Sequence, residues 1–172
     1  PAPPIQISKW IKNGPVNLKA GKGRNIFVVE FWATWCPPCL TSIPHLSKIQ
    51  AKYKNQGVVV VGITKEDEST VKEFVASHKN MEYHVGIDKK GETNKVYMKG
   101  IDSIPTAFVI DKKGLVVWRG HPMKLDEVLP QVIEGSFDLA DYQKLASLRE
   151  KFKLAMQMRK VNDAAKLAED IV

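Results

Sequence analysis

Short unbroken apolar runs alternate along this chain with stretches in which apolar residues return every third or fourth position, a pattern that predicts a mixed α/β domain. Ile26 to Trp32 and Val58 to Ile63 read as buried strands: short, β-branched and aromatic. Between them, residues 37–54 read as a helix with Leu40, Ile43, Leu46 and Ile49 at helical spacing. Pro37 and Pro38 fall in its first turn, where a missing N–H costs least, whereas Pro44 lies deeper and should kink it. Asp67 or Ser69 can cap a further helix running to about Lys79, with Val71, Phe74 and Val75 inward. His84 to Ile87 reads as a short edge strand, and Glu92 to Met98 as a short helix ended by Gly100. Ala107 to Ile110 and Leu115 to Trp118 make a hairpin around Asp111-Lys112-Lys113-Gly114. Lys124 to Glu134 closes the pattern as a helix with Leu125, Val128, Leu129 and Val132 on one face. Residues 1–14 are a Pro-rich lead-in containing Trp10.

Gly135 marks a change of composition, so the expected division is 1–134 and 135–172. Beyond it the chain has no Pro and carries an apolar stripe, Leu139, Tyr142, Leu145, Leu148, Phe152, Ala155 and Met156. Arg159-Lys160 ends that helix, and Val161 to Val172 makes a second. The pair reads as an amphipathic helical hairpin folded onto the domain, or as one unit of a tetratricopeptide-like array. Residues 136–172 hold six acids against seven bases, so apolar packing on the domain or self-association is expected rather than electrostatic docking.

The formal charge of +7 and pI of about 9.3 would suit an anionic partner, but the lysines are scattered (Lys52, Lys54, Lys65, Lys72, Lys89, Lys95). No dense basic block or basic–aromatic platform appears, which argues against nucleic acid. No apolar stretch approaches the roughly 20 residues a membrane helix needs, and no signal peptide is present. The opening Pro-Ala-Pro-Pro reads as a linker and leaves room for a leader or membrane anchor upstream.

The chemistry concentrates in Trp35-Cys36-Pro37-Pro38-Cys39, which holds the chain's only two cysteines at the junction of a strand and a helix. Unpaired N–H groups and the positive end of the helix dipole favour thiolate there, and two sulfurs at this spacing can open and close as a disulfide. Cys36 at the helix entrance suits the attacking role; Cys39, one turn in, suits the resolving one. A zinc site would want further ligands. There is no second CxxC, and His45, His78, His84 and His121 show no ligand spacing, so neither metal nor cofactor beyond the redox-active disulfide is expected. Glu30 is the one charge in the run from Ile26 to Trp35. Buried in a sheet, its pKa should rise toward neutrality, making it a candidate base for Cys39; the plainer alternative is an exposed Glu at a strand edge. Trp32 reads as core and Trp35 as a surface platform for substrate.

Phe31 to Cys39, together with Gly100-Ile101-Asp102-Ser103-Ile104-Pro105-Thr106 before a strand, resembles the TlpA/ResA-like thiol–disulfide oxidoreductases of bacterial cell envelopes. The resemblance runs from about Trp10 to Glu134. It implies a thioredoxin fold, a central mixed sheet flanked by helices, with the insertion typical of that group and here a C-terminal helical extension. It implies a cis Pro105 that sets the Ile104 backbone beside Cys36, so that Ile104, Pro105 and Thr106 receive an extended substrate strand. It also implies an extracytoplasmic or periplasmic location, protein disulfide or dithiol substrates and an upstream thiol reductant. Glu30 stands where thioredoxins carry Asp. Two departures leave its proton route open: Ser42 stands where these proteins often carry Glu, and the strand Val58 to Ile63 lacks thioredoxin's buried Lys. The expected activity is reduction of protein disulfides. A dithiol oxidant is a rival within the class, and a partner-binding module with a secondary dithiol is a rival outside it.

Overall fold

The computed structural model describes residues 1–171, and the chain divides into two compact units, Pro1–Glu134 and a second from Gly135 onward. The first unit is built on a six-stranded mixed sheet in the order β1-β4-β3-β2-β5-β6. At its centre β2 (Ile26–Phe31), buried at every residue, runs parallel to β3 (Val58–Thr64) and antiparallel to β5 (Thr106–Ile110). On one side β4 (His84–Asp88) lies parallel to β3, and β1 (Ile7–Lys12) closes that edge antiparallel to β4; on the other, β6 (Val116–Gly120) pairs with β5.

Two expectations are corrected here. The lead-in contains a strand, β1, and its pairing makes β4 an inner strand rather than an edge. The physical reason is local. Register shifts between Ile7 and Lys9 and between Trp10 and Lys12 break the two-residue alternation, which is the signal a strand leaves in a sequence.

Alternation along β2 sends Phe27, Val29 and Phe31 to one face, where they join Val61, Ile63, Phe108 and Ile110 in a single cluster. Edge-on ring pairs order this face: Phe31 with Phe108 at 5.9 Å and Tyr97 with Phe108 at 5.2 Å. Val28 and Glu30 point to the other face. There α1 (Pro37–Tyr53) buries Cys39, Ser42, Ile43, Leu46 and Ile49, each large apolar side chain contributing roughly 1.5 to 3 kcal/mol. The helix is unbroken through Pro44, and Leu40, at the start of the predicted stripe, is exposed.

The remaining helices have specific starts. Asp67, not Ser69, caps α2 (Glu68–Ser77), its Oδ1 accepting from the Thr70 N–H at 3.0 Å. The Asp88 carboxylate accepts from Thr93 and Asn94 N–H groups at 2.9 and 2.8 Å, tying α3 (Glu92–Tyr97) to the end of β4. A 3₁₀ turn, Pro122–Lys124, precedes α4 (Leu125–Glu134), which buries Leu125, Val128, Leu129 and Val132.

The second unit is a pair of helices. Gly135, at φ +76°, turns the chain out of α4 in a conformation that favours glycine. Asp138 caps α5 (Leu139–Gln157), and Arg159, at φ +56°, ends the turn into α6 (Val161–Ile171). Tyr142, Leu145, Leu148 and Phe152 are half-buried, and the small residues Ala155 and Ala164 are buried. Leu139 and Met156, both assigned to the stripe, are exposed instead.

Candidate functional site

β2 delivers the chain directly to the dithiol. Trp32 N–H donates to the Ile63 carbonyl at 3.2 Å, the last tie to the sheet, before Ala33-Thr34-Trp35 loops over to α1. Cys36 is the N-cap residue of α1, and its sulfur accepts from the Cys39 N–H at 3.3 Å. Pro37 and Pro38, in the first two helical positions, have no N–H to offer. Cys36 and Cys39 form a disulfide with Cα atoms 5.2 Å apart. Cys36 is 3 % exposed and Cys39 fully buried.

The loop before β5 approaches from the other side. Ile104–Pro105 is a cis peptide, and the Ile104 carbonyl oxygen lies 3.7 Å from Cys36 Sγ. Gly14–Pro15, not foreseen, is also cis. Ile104 is half-buried, whereas Pro105 and Thr106 are buried. The Thr106 hydroxyl donates to the Ser103 carbonyl at 2.8 Å, so the side chain is occupied within its own turn and what it presents to a strand partner is backbone. Trp35 is 71 % exposed and shares with Trp32, Ile63, Met98 and Ile104 a cavity of about 530 Å³ beside the disulfide.

Glu66 completes this loop. Its carboxylate accepts from the Thr34 N–H at 2.8 Å, the Thr34 hydroxyl at 2.6 Å and the Thr64 hydroxyl at 3.0 Å, bracing the segment that carries Trp35 and Cys36 against the end of β3. Nothing in the acidic run Glu66-Asp67-Glu68 distinguishes it by pattern. Replacing Glu66 with Ala should lower stability by roughly 1 to 3 kcal/mol, because the Thr34 N–H loses its acceptor. Glu66→Gln should retain most of it, since an amide oxygen still accepts. Urea unfolding of both variants checks this.

On the α1 side of the sheet, beside Ser42, Glu30 is fully buried. Loss of hydration pushes its carboxyl from 4.5 up to about 8. The nearby Ser42 hydroxyl opposes that shift and donates to the Cys39 carbonyl at 2.9 Å. Neither Glu30 oxygen has a hydrogen-bond partner among the described residues. The exposed-edge alternative is therefore removed: β2 is the interior of the sheet. Tyr83, which the sequence pattern did not single out, is also fully buried and close enough that the Glu30 charge adds to burial in raising its phenol.

Among the described residues no group of three or more His, Cys, Asp or Glu side chains is arranged to hold a metal ion, and no helix is long and apolar enough to cross a membrane.

The AhpC/TSA family profile matches residues 1–119. The thiol-disulfide oxidoreductase ResA of Bacillus thuringiensis subsp. konkukian is 39% identical over 122 residues, 68% of this chain and 68% of ResA. Protein FixW of Rhizobium leguminosarum is 28% identical over 173 residues, covering 94% of this chain and 77% of FixW, a match that runs into the C-terminal helices. Among solved structures, a Chlorobium tepidum protein assigned as a thiol:disulfide interchange protein DsbE superposes with a TM-score of 0.65 at 32% identity, covering 78% of this chain and 94% of that one.

Proposed function

The chain belongs to the AhpC/TSA family and is a ResA-like, thioredoxin-fold thiol–disulfide oxidoreductase, and we propose that it runs in the reducing direction on protein disulfides outside the cytoplasm. The observation that carries the direction is the poor solvation of the Cys36 sulfur. Strong dithiol oxidants owe their potential to a stabilised thiolate. Here two of the helix-entrance donors are replaced by Pro37 and Pro38, leaving the Cys39 N–H at 3.3 Å, while the buried Glu30 adds no positive charge. A thiolate so placed is less stabilised, and its disulfide is the harder one to reduce.

In this cycle Cys36 thiolate attacks one sulfur of a substrate disulfide, forming a mixed disulfide and expelling the other substrate sulfur as thiolate. Cys39 then gives its proton to the Glu30 carboxylate and attacks Cys36 Sγ. The Cys36–Cys39 disulfide closes, the second substrate sulfur leaves, and two electrons have passed to substrate. An upstream thiol reductant returns the dithiol. The substrate strand lies along the Ile104 backbone with Trp35 as its platform, a reading supported by the 3.7 Å approach of Ile104 to Cys36 and by the exposure of Trp35. The ResA-like resemblance supports the location.

Two assays decide direction. The dithiol form should reduce insulin faster than the disulfide form oxidises a reduced, unfolded test protein; the opposite order overturns the reductase reading. The C-terminal helices we assign to packing or self-association rather than chemistry. A chain ending at Glu134 should keep activity on a small generic disulfide while losing stability or changing oligomeric state. Loss of that activity in a folded truncation, measured beside the full chain, would place the helices in the active site.

A further inference from the structure

Four buried polar atoms have no hydrogen-bond partner among the described residues and belong to one neighbourhood: both carboxylate oxygens of Glu30, the Trp32 Nε1 and the Tyr83 hydroxyl. They meet at Gly62. Gly62 stands opposite Glu30 in the ladder between β2 and β3. A Cβ at Gly62 would lie 3.0 Å from Tyr83 Cε2 and 3.1 Å from Trp32 Nε1. The missing side chain is what lets the Tyr83 ring and the Trp32 indole come over the strand at the residue next to Glu30.

We propose that Tyr83 is a positioning residue for the resolving step: its hydroxyl and the Glu30 carboxyl, both without a partner in the disulfide form, close into a hydrogen bond when Glu30 ionises, and that bond sustains the form that takes the Cys39 proton. This rests on the assignment of Glu30 as base made above. The phenol suits the task for two reasons. It is neutral, so it stabilises a buried carboxylate without a second buried charge. It also remains a donor, since burial and the Glu30 charge both push it further above its ordinary range. A phenylalanine would fill the same space with no orphaned hydroxyl, so the oxygen needs a purpose that packing does not supply.

The groups facing Glu30 are few. α1 presents Ser42; β3 presents Gly62, β5 its partner Ala107, and Trp32, just after β2, and Tyr83, before β4, come over Gly62. No lysine, arginine, histidine or second carboxylate enters into the Glu30 shift.

The test uses the full chain carrying Tyr83→Phe, which keeps the ring contacts. The Glu30 carboxyl is titrated by NMR, and release of substrate from a preformed mixed disulfide on Cys36 is timed as a function of pH. The Glu30 midpoint should rise by about one pH unit, cutting its ionised fraction near pH 7 about tenfold and slowing release by a similar factor. Above the shifted midpoint the variant should rejoin the parent. An unchanged midpoint overturns the Tyr83 inference, whatever Glu30 does. A raised midpoint with unchanged release removes both residues from the resolving step, and in that case Glu30→Gln will also release at the parental rate. In the parent chain itself, a slowly exchanging Tyr83 hydroxyl proton should be visible above the Glu30 midpoint and lost in Glu30→Gln; its absence counts against the bond even if the Phe variant does not fold.

Discussion

A Cys39→Ser variant should accumulate mixed disulfides with its protein substrates, and a Cys36→Ser variant should accumulate none. Both lose turnover by roughly three orders of magnitude or more, since each removes a reacting atom. The asymmetry follows from placement. Cys36 is the N-cap residue, its sulfur on the Cys39 N–H and 3.7 Å from the Ile104 carbonyl where the substrate strand is placed, so it is the sulfur a substrate meets. Cys39 has no exposed surface and can reach only the sulfur of Cys36. With Cys39 gone the first attack proceeds and nothing displaces the adduct. Electrophoresis without reductant reads the result directly, and equal trapping by both variants would reverse or abolish the assignment of roles.

The second large effect concerns Glu30 and the pH dependence of stability. Its folded value, about 8, lies above the ordinary 4.5, so the folded state holds a proton that the unfolded state releases. Stability should therefore fall as pH rises from about 4.5 to about 8, by about 1.4 kcal/mol per pH unit, and level off beyond. Glu30→Gln is neutral throughout and lacks this slope. In the disulfide form, the variant should match the parent near pH 4 and exceed it by several kcal/mol, at most roughly 5, above pH 8. Urea unfolding at the two extremes measures the gap. A gap that does not widen with pH would mean an ordinary carboxyl and would remove the physical motive for Glu30 as base. The same variant should slow the resolving step, because Cys39 then loses its proton only to solvent.

The parts of the fold that the amino-acid pattern made visible are those with unbroken periodicity. Val28 and Val29 within β2, the buried face of α4 and the hairpin of β5 and β6 each leave a regular trace. β1 leaves none because its register shifts twice within six residues. The site divides in the same way. Cys36, Cys39 and Glu30 stand out because each is chemically foreign to its surroundings, a thiol pair at a helix entrance and a lone charge in an apolar run. Ile104 became visible through resemblance, and it lies with Trp35 around one cavity. Glu66, Tyr83 and Gly62 carry no such mark. An acid among acids, an aromatic beside a strand and a glycine in a valine run acquire meaning through contacts made across long sequence separations. The proton route left open by Ser42 and by the missing strand lysine is a matter of that kind, since its candidate donor, Tyr83, comes from the segment before β4 and crosses at Gly62.

The central claim is that an under-solvated Cys36 thiolate makes this couple a reductant, and the reduction potential of Cys36–Cys39 tests it most directly. Equilibration against a thiol buffer at pH 7, with the two redox states separated after alkylation, gives the value. A two-electron couple near thioredoxin's, about −270 mV, or below it is the predicted result. A value close to DsbA's, about −120 mV, would mean that the reduced form is strongly stabilised and that the chain is built to oxidise.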